Sequence, residues 1–277
     1  MAELLKDTLK TINCYRNMNP HYEELLNILE EVMILREQYR RKVSGDIFTV
    51  DESLIEKKIA GGLPLVDFPD GIFDLDEPRE YFIALLEIAN TRALEETDEI
   101  IQSMNEGTMD YREMVRRSFM YQEDEAESDA DSEGVFDLLG FLVEESLRPA
   151  LEIIATKYGD IIKRSSWSEG YCPICGREPK ISELREEEGK RFLFCSQCGF
   201  EWQFKRIKCP FCGNEDQQTL AYFTVEDEEK YRVDVCNVCN KYIKAVDSRK
   251  TKRKPNLDVE DIATLHLDIL ADEEGYE

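Results

Sequence analysis

Apolar residues recur at steps of three and four through the first half of the chain. Between Tyr22 and Val43 they fall at Tyr22, Leu25, Leu29, Val32, Leu35, Tyr39 and Val43, one stripe of an amphipathic helix. The pattern then yields to a turn-rich stretch, AGGLPLVDFPDG at 60–71, where Gly61 and Gly62 free the backbone and Pro64 and Pro69 bar a helix. Asp76 and Pro78 open the next helix, a cap residue followed by proline in the first turn. Its stripe runs through Phe82, Leu85, Leu86, Ala89, Ala93, Ile100, Ile101 and Met104, and a shorter helix is expected over 109–121. From Val135 the spacing resumes at Leu138, Leu139, Leu142, Val143, Leu147, Ile153, Ile154 and Ile161, with Pro149 placed to kink or divide that helix.

At Trp167 the texture changes. Glycine and cysteine become frequent, and short β-prone runs appear: RFLF, FEWQF, LAYFTV, YRVDV and KYIKAV, read as paired strands between loops. The last stretch, LDVEDIATLHLDILADEEGYE, carries Leu257, Ile262, Leu265 and Ile269 near helical spacing and is expected to pack as a helix. The predicted organisation is α+β. A helical domain covers 1–163, with an acidic mobile loop at 122–134. Two small β modules follow at 164–207 and 208–249, and an acidic tail at 250–277.

Charge narrows the choice of partner. The net charge of the 277 residues is -25, unevenly spread: -21 over 1–162, +4 over 163–254 and -8 over 255–277. A chain this acidic repels a phosphate backbone, which argues against nucleic acid as the main partner. Residues 123–133, EDEAESDADSE, hold seven acids and nothing large and apolar, so burial cannot offset their ordering entropy and a solvated loop is favoured over a docking arm. No run of 18 uncharged apolar residues is present, and the opening residues MAELLKDTLK lack the apolar stretch of a secretion signal. With nine cysteines, that points to the reducing cytoplasm and to metal rather than disulfides.

Eight of the nine cysteines form four CxxC pairs: Cys172/Cys175, Cys195/Cys198, Cys209/Cys212 and Cys236/Cys239. One such pair, YCPICG for example, could be a redox dithiol, half a disulfide or half a metal site. A tetrahedral metal needs four thiolates and a pair supplies two, so four pairs imply two sites. The gaps of 19 and 23 residues within the first two and the last two pairs suit hairpins, whereas interleaved pairing needs a more tangled connection. Gly176, Gly199, Gly213 and Asn240 follow the second cysteine of each pair, where a knuckle tends toward positive φ. Closed four-thiolate sites leave no open position for substrate, which favours stapling of a small β domain over metal-centred chemistry. Spacing alone does not separate zinc from iron. Cys14 reads as a small buried residue and the two histidines, His21 and His266, as surface or packing residues, leaving little material for a histidine-based catalytic site. Trp167 and Trp202, flanking the first two pairs, are expected to shield that site from solvent.

The order WSEGYCPICGREP, RFLFCSQCGFEW, KCPFCGN, YRVDVCNVCNKYIKAVD and EDIATLHLDILADEEGY resembles the formate dehydrogenase accessory protein family, FdhE, closely over 165–277 and loosely before that. The resemblance implies a cytoplasmic maturation factor, not an enzyme and not a subunit of the mature enzyme, that acts on the catalytic subunit of a formate dehydrogenase. It implies two rubredoxin-like metal modules holding zinc or iron, with Cys172, Cys175, Cys195 and Cys198 as ligands of one and Cys209, Cys212, Cys236 and Cys239 of the other. Gly61, Gly62 and Pro64 are candidates for shaping the partner-binding surface. Two other classes stay open: thiol, persulfide or redox chemistry at a cysteine pair, and a nucleic-acid-binding zinc ribbon.

Overall fold

The structure is a computed structural model that describes residues 2–43, 47–66, 74–92, 94–120, 138–226, 228–251 and 253–277. The acidic run 123–133, Pro69 and Val135 lie outside the described residues.

The first half is helical. Helices α1 (Ala2–Met18) and α2 (Glu23–Arg40) form a hairpin, followed by a short α3 (Ile55–Ala60), α4 (Asp76–Asn90), α5 (Leu94–Asn105), α6 (Tyr111–Met120) and α7 (Leu138–Lys163). The single stripe expected from Phe82 to Met104 is two helices. Thr91 ends α4 by donating its hydroxyl to the Ile88 carbonyl at 2.7 Å, and Thr97 reaches back to Asn90 at 2.7 Å. Such short polar side chains compete with the helical backbone, and both helices keep their apolar faces on one side, so periodicity alone hid the break.

Helix α7 is the axis of the helical half. Pro149 neither ends nor divides it, and Glu145 to Leu151 are buried without interruption. Burial on all sides outweighs the hydrogen bond that proline removes. Its charged residues are paired inside the core. Arg36 of α2 meets Glu145 through both carboxylate oxygens at 2.6 and 2.7 Å, and Tyr81 of α4 donates to the same carboxylate at 2.9 Å. Leu147 and Phe82 are fully enclosed in this layer, and truncating either to alanine would cost about 2–5 kcal/mol.

Six strands follow: β1 (Ile181–Arg185), β2 (Lys190–Phe194), β3 (Glu201–Phe204), β4 (Leu220–Phe223), β5 (Tyr231–Cys236) and β6 (Tyr242–Asp247). Each half of the cysteine-rich region contributes three strands, and the halves join into one sheet of order β3-β2-β1-β6-β5-β4. All neighbours are antiparallel except β1 and β6, which run parallel at the seam, Ile181 opposite Lys244 and Ser182 opposite Ala245. The two β modules thus share a backbone ladder.

The tail is two helices, α8 (Leu257–Ala263) and α9 (Leu265–Glu273), divided at Thr264. Asn256 caps α8 by accepting from the Val259 N–H. Val259 and Ala263 pack on Ile12, Tyr15 and Leu26 of the helical hairpin, while Leu257, Leu267 and Ala271 pack on the sheet. Its acids neutralise buried cations: Asp258 takes Arg148 of α7 at 2.7 and 2.6 Å, and Asp261 and Asp268 take Lys244 of β6 at 2.7 and 2.6 Å. A second bridge joins α1, β5 and α8, where Tyr15 and Tyr231 both donate to Glu260 at 2.5 Å. The acidic tail is the clasp between the helical half and the sheet.

Candidate metal centres

Each CxxC pair lies in a knuckle with the same backbone plan. The first cysteine's N–H donates five residues ahead: Cys172 to Arg177, Cys195 to Phe200, Cys209 to Asn214 and Cys236 to Lys241, at 2.8 to 3.0 Å. The residue after the second cysteine donates back to the first cysteine's carbonyl at 2.9 to 3.1 Å. That residue is left-handed every time: Gly176 at φ 82, Gly199 at φ 66, Gly213 at φ 73 and Asn240 at φ 56. Glycine adopts this region freely, and asparagine tolerates it better than other side chains.

The knuckles meet in pairs. Cys172, Cys175, Cys195 and Cys198 gather in one cluster and Cys209, Cys212, Cys236 and Cys239 in another, the sulfurs of each within 4.8 Å of one another. In the first cluster Cys172 and Cys198 are 3.4 Å apart and Cys175 and Cys195 3.5 Å. In the second, Cys209–Cys239 and Cys212–Cys236 are both 3.7 Å. A tetrahedral ion with metal–sulfur bonds of about 2.3 Å sets its sulfurs about 3.8 Å apart, and a disulfide sets them about 2.05 Å apart. The spacing suits metal, not disulfides. Backbone and amide donors already point at sulfur, Ile174 N–H to Cys172 at 3.4 Å and Asn214 Nδ2 to Cys236 at 3.6 Å.

The electrostatics also call for a cation. Burial pushes the Cys172 and Cys198 thiols well above their ordinary range and Cys209 up to about 12. Burial also opposes ionisation of Cys195 and Cys236, but hydrogen bonds from neighbouring sulfurs and backbone outweigh it. Cys195 falls well below the ordinary thiol range and Cys236 to about 6. Four thiolates cannot ionise together at such distances without a positive ion among them. Both clusters can hold a metal ion.

Their surroundings differ. All four sulfurs of the first cluster are buried and belong to the main core, together with Trp167, Trp202, Phe200 and α7. Trp167 donates its indole N–H to the Tyr171 carbonyl and Trp202 to that of Glu169, both at 3.2 Å, closing the two rings over the first knuckle. In the second cluster Cys212 is exposed and Cys239 half-exposed. The clusters touch through Gly170, where any Cβ would lie 1.7 Å from the carbonyl oxygen of Pro210.

The segment at 61–66 is sewn to the first knuckle. Helix α3 ends in a Schellman motif, with Gly62 left-handed at φ 69 and Leu63 N–H donating to Lys58 at 2.8 Å. The chain then pairs with CPIC, Leu65 N–H to Pro173 and Val66 N–H to Ile174, both at 2.9 Å, while Tyr171 donates to Gly62 at 2.5 Å. Gly61, Gly62 and Pro64 therefore sit beside the first cluster, and Leu63 projects from them, 57% exposed.

Cys14 falls differently from expectation, whereas the two histidines take the surface and packing positions expected of them. Cys14 is exposed on α1, its sulfur 3.9 Å from Met18 Sδ, because it lies on the outer face of the helix. His21 is exposed, and His266 stacks on Tyr22 and pairs with Glu228 at 2.8 Å. Sequence reasoning passed over Arg148 and Asp258, which lie beneath the first cluster: a Cβ on Gly199 would stand 3.7 Å from Arg148 Nη2. An arginine on an amphipathic stripe carries no mark of a partner 110 residues away. Asn214 carried a mark, since it directly follows the knuckle glycine.

Residues 171–206 match the family model described as FdhE, central domain, and residues 207–277 that described as FdhE, C-terminal domain. Over 271 residues the chain is 27% identical to the protein FdhE homolog of Aquifex aeolicus, spanning 97% of this chain and 90% of that one. Shorter alignments reach 32% identity with the FdhE homolog of Pseudomonas aeruginosa, over 52% of this chain and 50% of the relative. They reach 34% with protein FdhE of Escherichia coli O157:H7, over 38% and 34%. The crystal structure of the FdhE protein from Pseudomonas aeruginosa superposes with a TM-score of 0.66 at 20% identity, covering 97% of this chain and 90% of that one, and so shares its fold. Residues 171–277 thus match FdhE domains, and along nearly its whole length the chain is similar in sequence and fold to FdhE proteins.

Proposed function

We propose that this protein is a cytoplasmic accessory factor for formate dehydrogenase. It binds the immature catalytic subunit and supports its maturation, and it is neither an enzyme nor a subunit of the finished complex. Similarity to the FdhE family, by domain over 171–277 and by sequence along nearly the whole chain, is the observation that carries this reading. Among the described residues no helix is long and apolar enough to cross a membrane. In this reading Cys172, Cys175, Cys195 and Cys198 hold one metal ion and Cys209, Cys212, Cys236 and Cys239 a second, zinc or iron. Bound there, the metals supply cross-links between knuckles rather than an open coordination position.

The docking surface includes the 61–66 segment. Gly61 and Gly62 end α3 and Pro64 stiffens the turn, so that Leu63 is presented at the surface beside the first cluster. Affinity capture from cells making formate dehydrogenase should recover the catalytic subunit, and Leu63→Asp should weaken that capture while the protein stays folded. If the catalytic subunit is never recovered, and cells lacking this protein make fully active formate dehydrogenase, the reading is wrong.

Exposure of Cys212 favours a second reading in which the second cluster does thiol or persulfide chemistry on the partner. Mild alkylation separates the two. If Cys212 stays unmodified in the metal-loaded protein during a maturation assay, thiol chemistry at that cluster is excluded.

A further inference from the structure

A groove of about 360 Å³ lies beside the second cluster, lined by residues of β2, β4, β5 and β6 and of the third knuckle. In a chain of net charge -25, the charged residues that line this groove among the described residues are Arg191, Arg206, Lys208, Arg232, Lys241 and a single acid, Asp234. Arg191 lies on β2 and Asp234 on β5, with β1 and β6 between them in the sheet. At about 4.8 Å per strand, two such side chains meet only if the sheet curls, and their charged ends approach to 3.6 Å.

Arg191 is the unusual member. It is 3% exposed, and one of its nitrogens, Nη1, donates to the Lys208 carbonyl at 3.1 Å. Its Nε and Nη2 are buried without a hydrogen-bond partner among the described residues, since Asp234 at 3.6 Å is too far for a hydrogen bond. Asp234 is engaged by Arg232, at 2.9 Å. Burial depresses the pKa of the Arg191 guanidinium, and Asp234 offsets this only in part. A buried charge with two unused donors on one edge is costly to keep and matches the bidentate geometry of a carboxylate or phosphoryl group.

The cations around it are held in place by rings. Arg232 lies over Tyr222 at 5.0 Å, Lys208 over Phe204 at 5.5 Å and Lys241 over Phe211 at 5.2 Å. One account of this charge is that it balances the neighbouring thiolates. A divalent ion with four thiolates carries two negative charges, and Lys241 is spoken for by Glu178 at 3.2 Å. The other four cations still exceed Asp234 and such a cluster by one charge.

We infer that this groove is an oxyanion-binding site, with the Nε and Nη2 edge of Arg191 as its floor and Lys208, Arg206 and Arg232 around its mouth. The ligand is a small molecule or group bearing a carboxylate or a phosphoryl oxyanion. The inference stands on the groove and is independent of which partner the protein serves.

The test is calorimetric titration of the full-length protein with inorganic phosphate and, separately, acetate, in a chloride buffer of fixed ionic strength. At least one probe should bind with one-to-one stoichiometry: phosphate alone marks a phosphoryl site, acetate alone a carboxylate site. Arg191→Met, folded by circular dichroism, should lose at least tenfold in affinity, and Arg191→Lys should fall between it and the wild type. Lys208→Gln, at a half-exposed position that does not threaten the fold, should lose about threefold. Overturning results are equally definite: neither probe binds at tens of millimolar, or folded Arg191→Met and Lys208→Gln both bind like the wild type. If Arg191→Met alters metal affinity and no anion binds the wild type, the cations serve the thiolates and the proposal fails.

Discussion

The two sulfur clusters are built to one plan and placed in opposite environments. Knuckle hydrogen bonds, left-handed residues and sulfur spacings repeat almost unchanged between them. Yet the first is enclosed by α7, two tryptophans and the 61–66 segment, and the second leaves Cys212 at the surface. A ligand set therefore does not define a site's role; what surrounds it does. The first cluster joins the helical half to the sheet, and its loss would be felt across the molecule. The second organises three strands and the groove beside them, and its loss would stay local.

Serine substitutions test this contrast most severely. Cys172→Ser should destabilise the whole protein by on the order of 5 kcal/mol or more, since it removes one of the four sulfurs that can hold a metal and leaves polar groups in the main core. Cys212→Ser should cost about 1–3 kcal/mol and leave the helical half intact. Thermal unfolding followed by far-UV circular dichroism, with metal content per chain, gives both results. Equal effects would break the comparison. A chelator should likewise strip the second cluster first, leaving one metal per chain before any loss of helicity.

Beneath the first cluster, Arg148→Ala should cost about 3–5 kcal/mol, because it removes the nearest cation from the half-buried Asp258 and Glu152, which are left with Arg36 and Arg40 at 3.7 and 3.6 Å. The same pair gives a pH dependence. Burial alone would raise the Asp258 pKa, but Arg148 and then Arg36 hold it below the usual carboxylate range. A lowered native pKa gives stability that is present above the unfolded carboxylate pKa and lost as pH falls through the native one. Urea unfolding at a series of acidic pH values should show that loss, and Asp258→Asn should flatten it.

Smaller effects refine the picture at the contact between clusters. Gly170→Ala should cost about 1–3 kcal/mol as the backbone moves away from Pro210. Within the second cluster, Gly213→Ala should cost about 1–2 kcal/mol for its left-handed backbone. Asn240→Gly should change stability by only a few tenths of a kcal/mol, since both residues accept that conformation. Chemical denaturation midpoints resolve this order, and a Gly170→Ala protein as stable as the wild type would separate the clusters.

Much of the candidate site was legible in the chain. Four CxxC pairs with their glycines and Asn240 announce knuckles, because ligand spacing and backbone handedness are local requirements written within six residues. Helix existence was legible for the same reason, from Tyr22 to Val43 and from Leu138 onward. Less legible were features in which one local signal served two elements. The stripe from Phe82 to Met104 ran through a break at Thr91, and Pro149 signalled a kink where the core keeps one helix. Cys14 was expected inside and lies outside, since a lone small residue at a stripe's margin fits either face.

By itself the sequence determined the ingredients: helices before residue 163, strands after it, a helical tail, and four two-thiol knuckles in two hairpin-length sets. Tertiary structure decided their relations. It made one sheet of two modules through a parallel seam at Ile181 and Lys244, and placed one cluster in the core and the other at the surface. It also turned an acidic tail into the counter-charge for Arg148 and Lys244. Periodicity and spacing act over a few residues, so a sequence can display them. Burial and charge pairing are properties of neighbours in space, which the chain acquires only when distant segments close around each other.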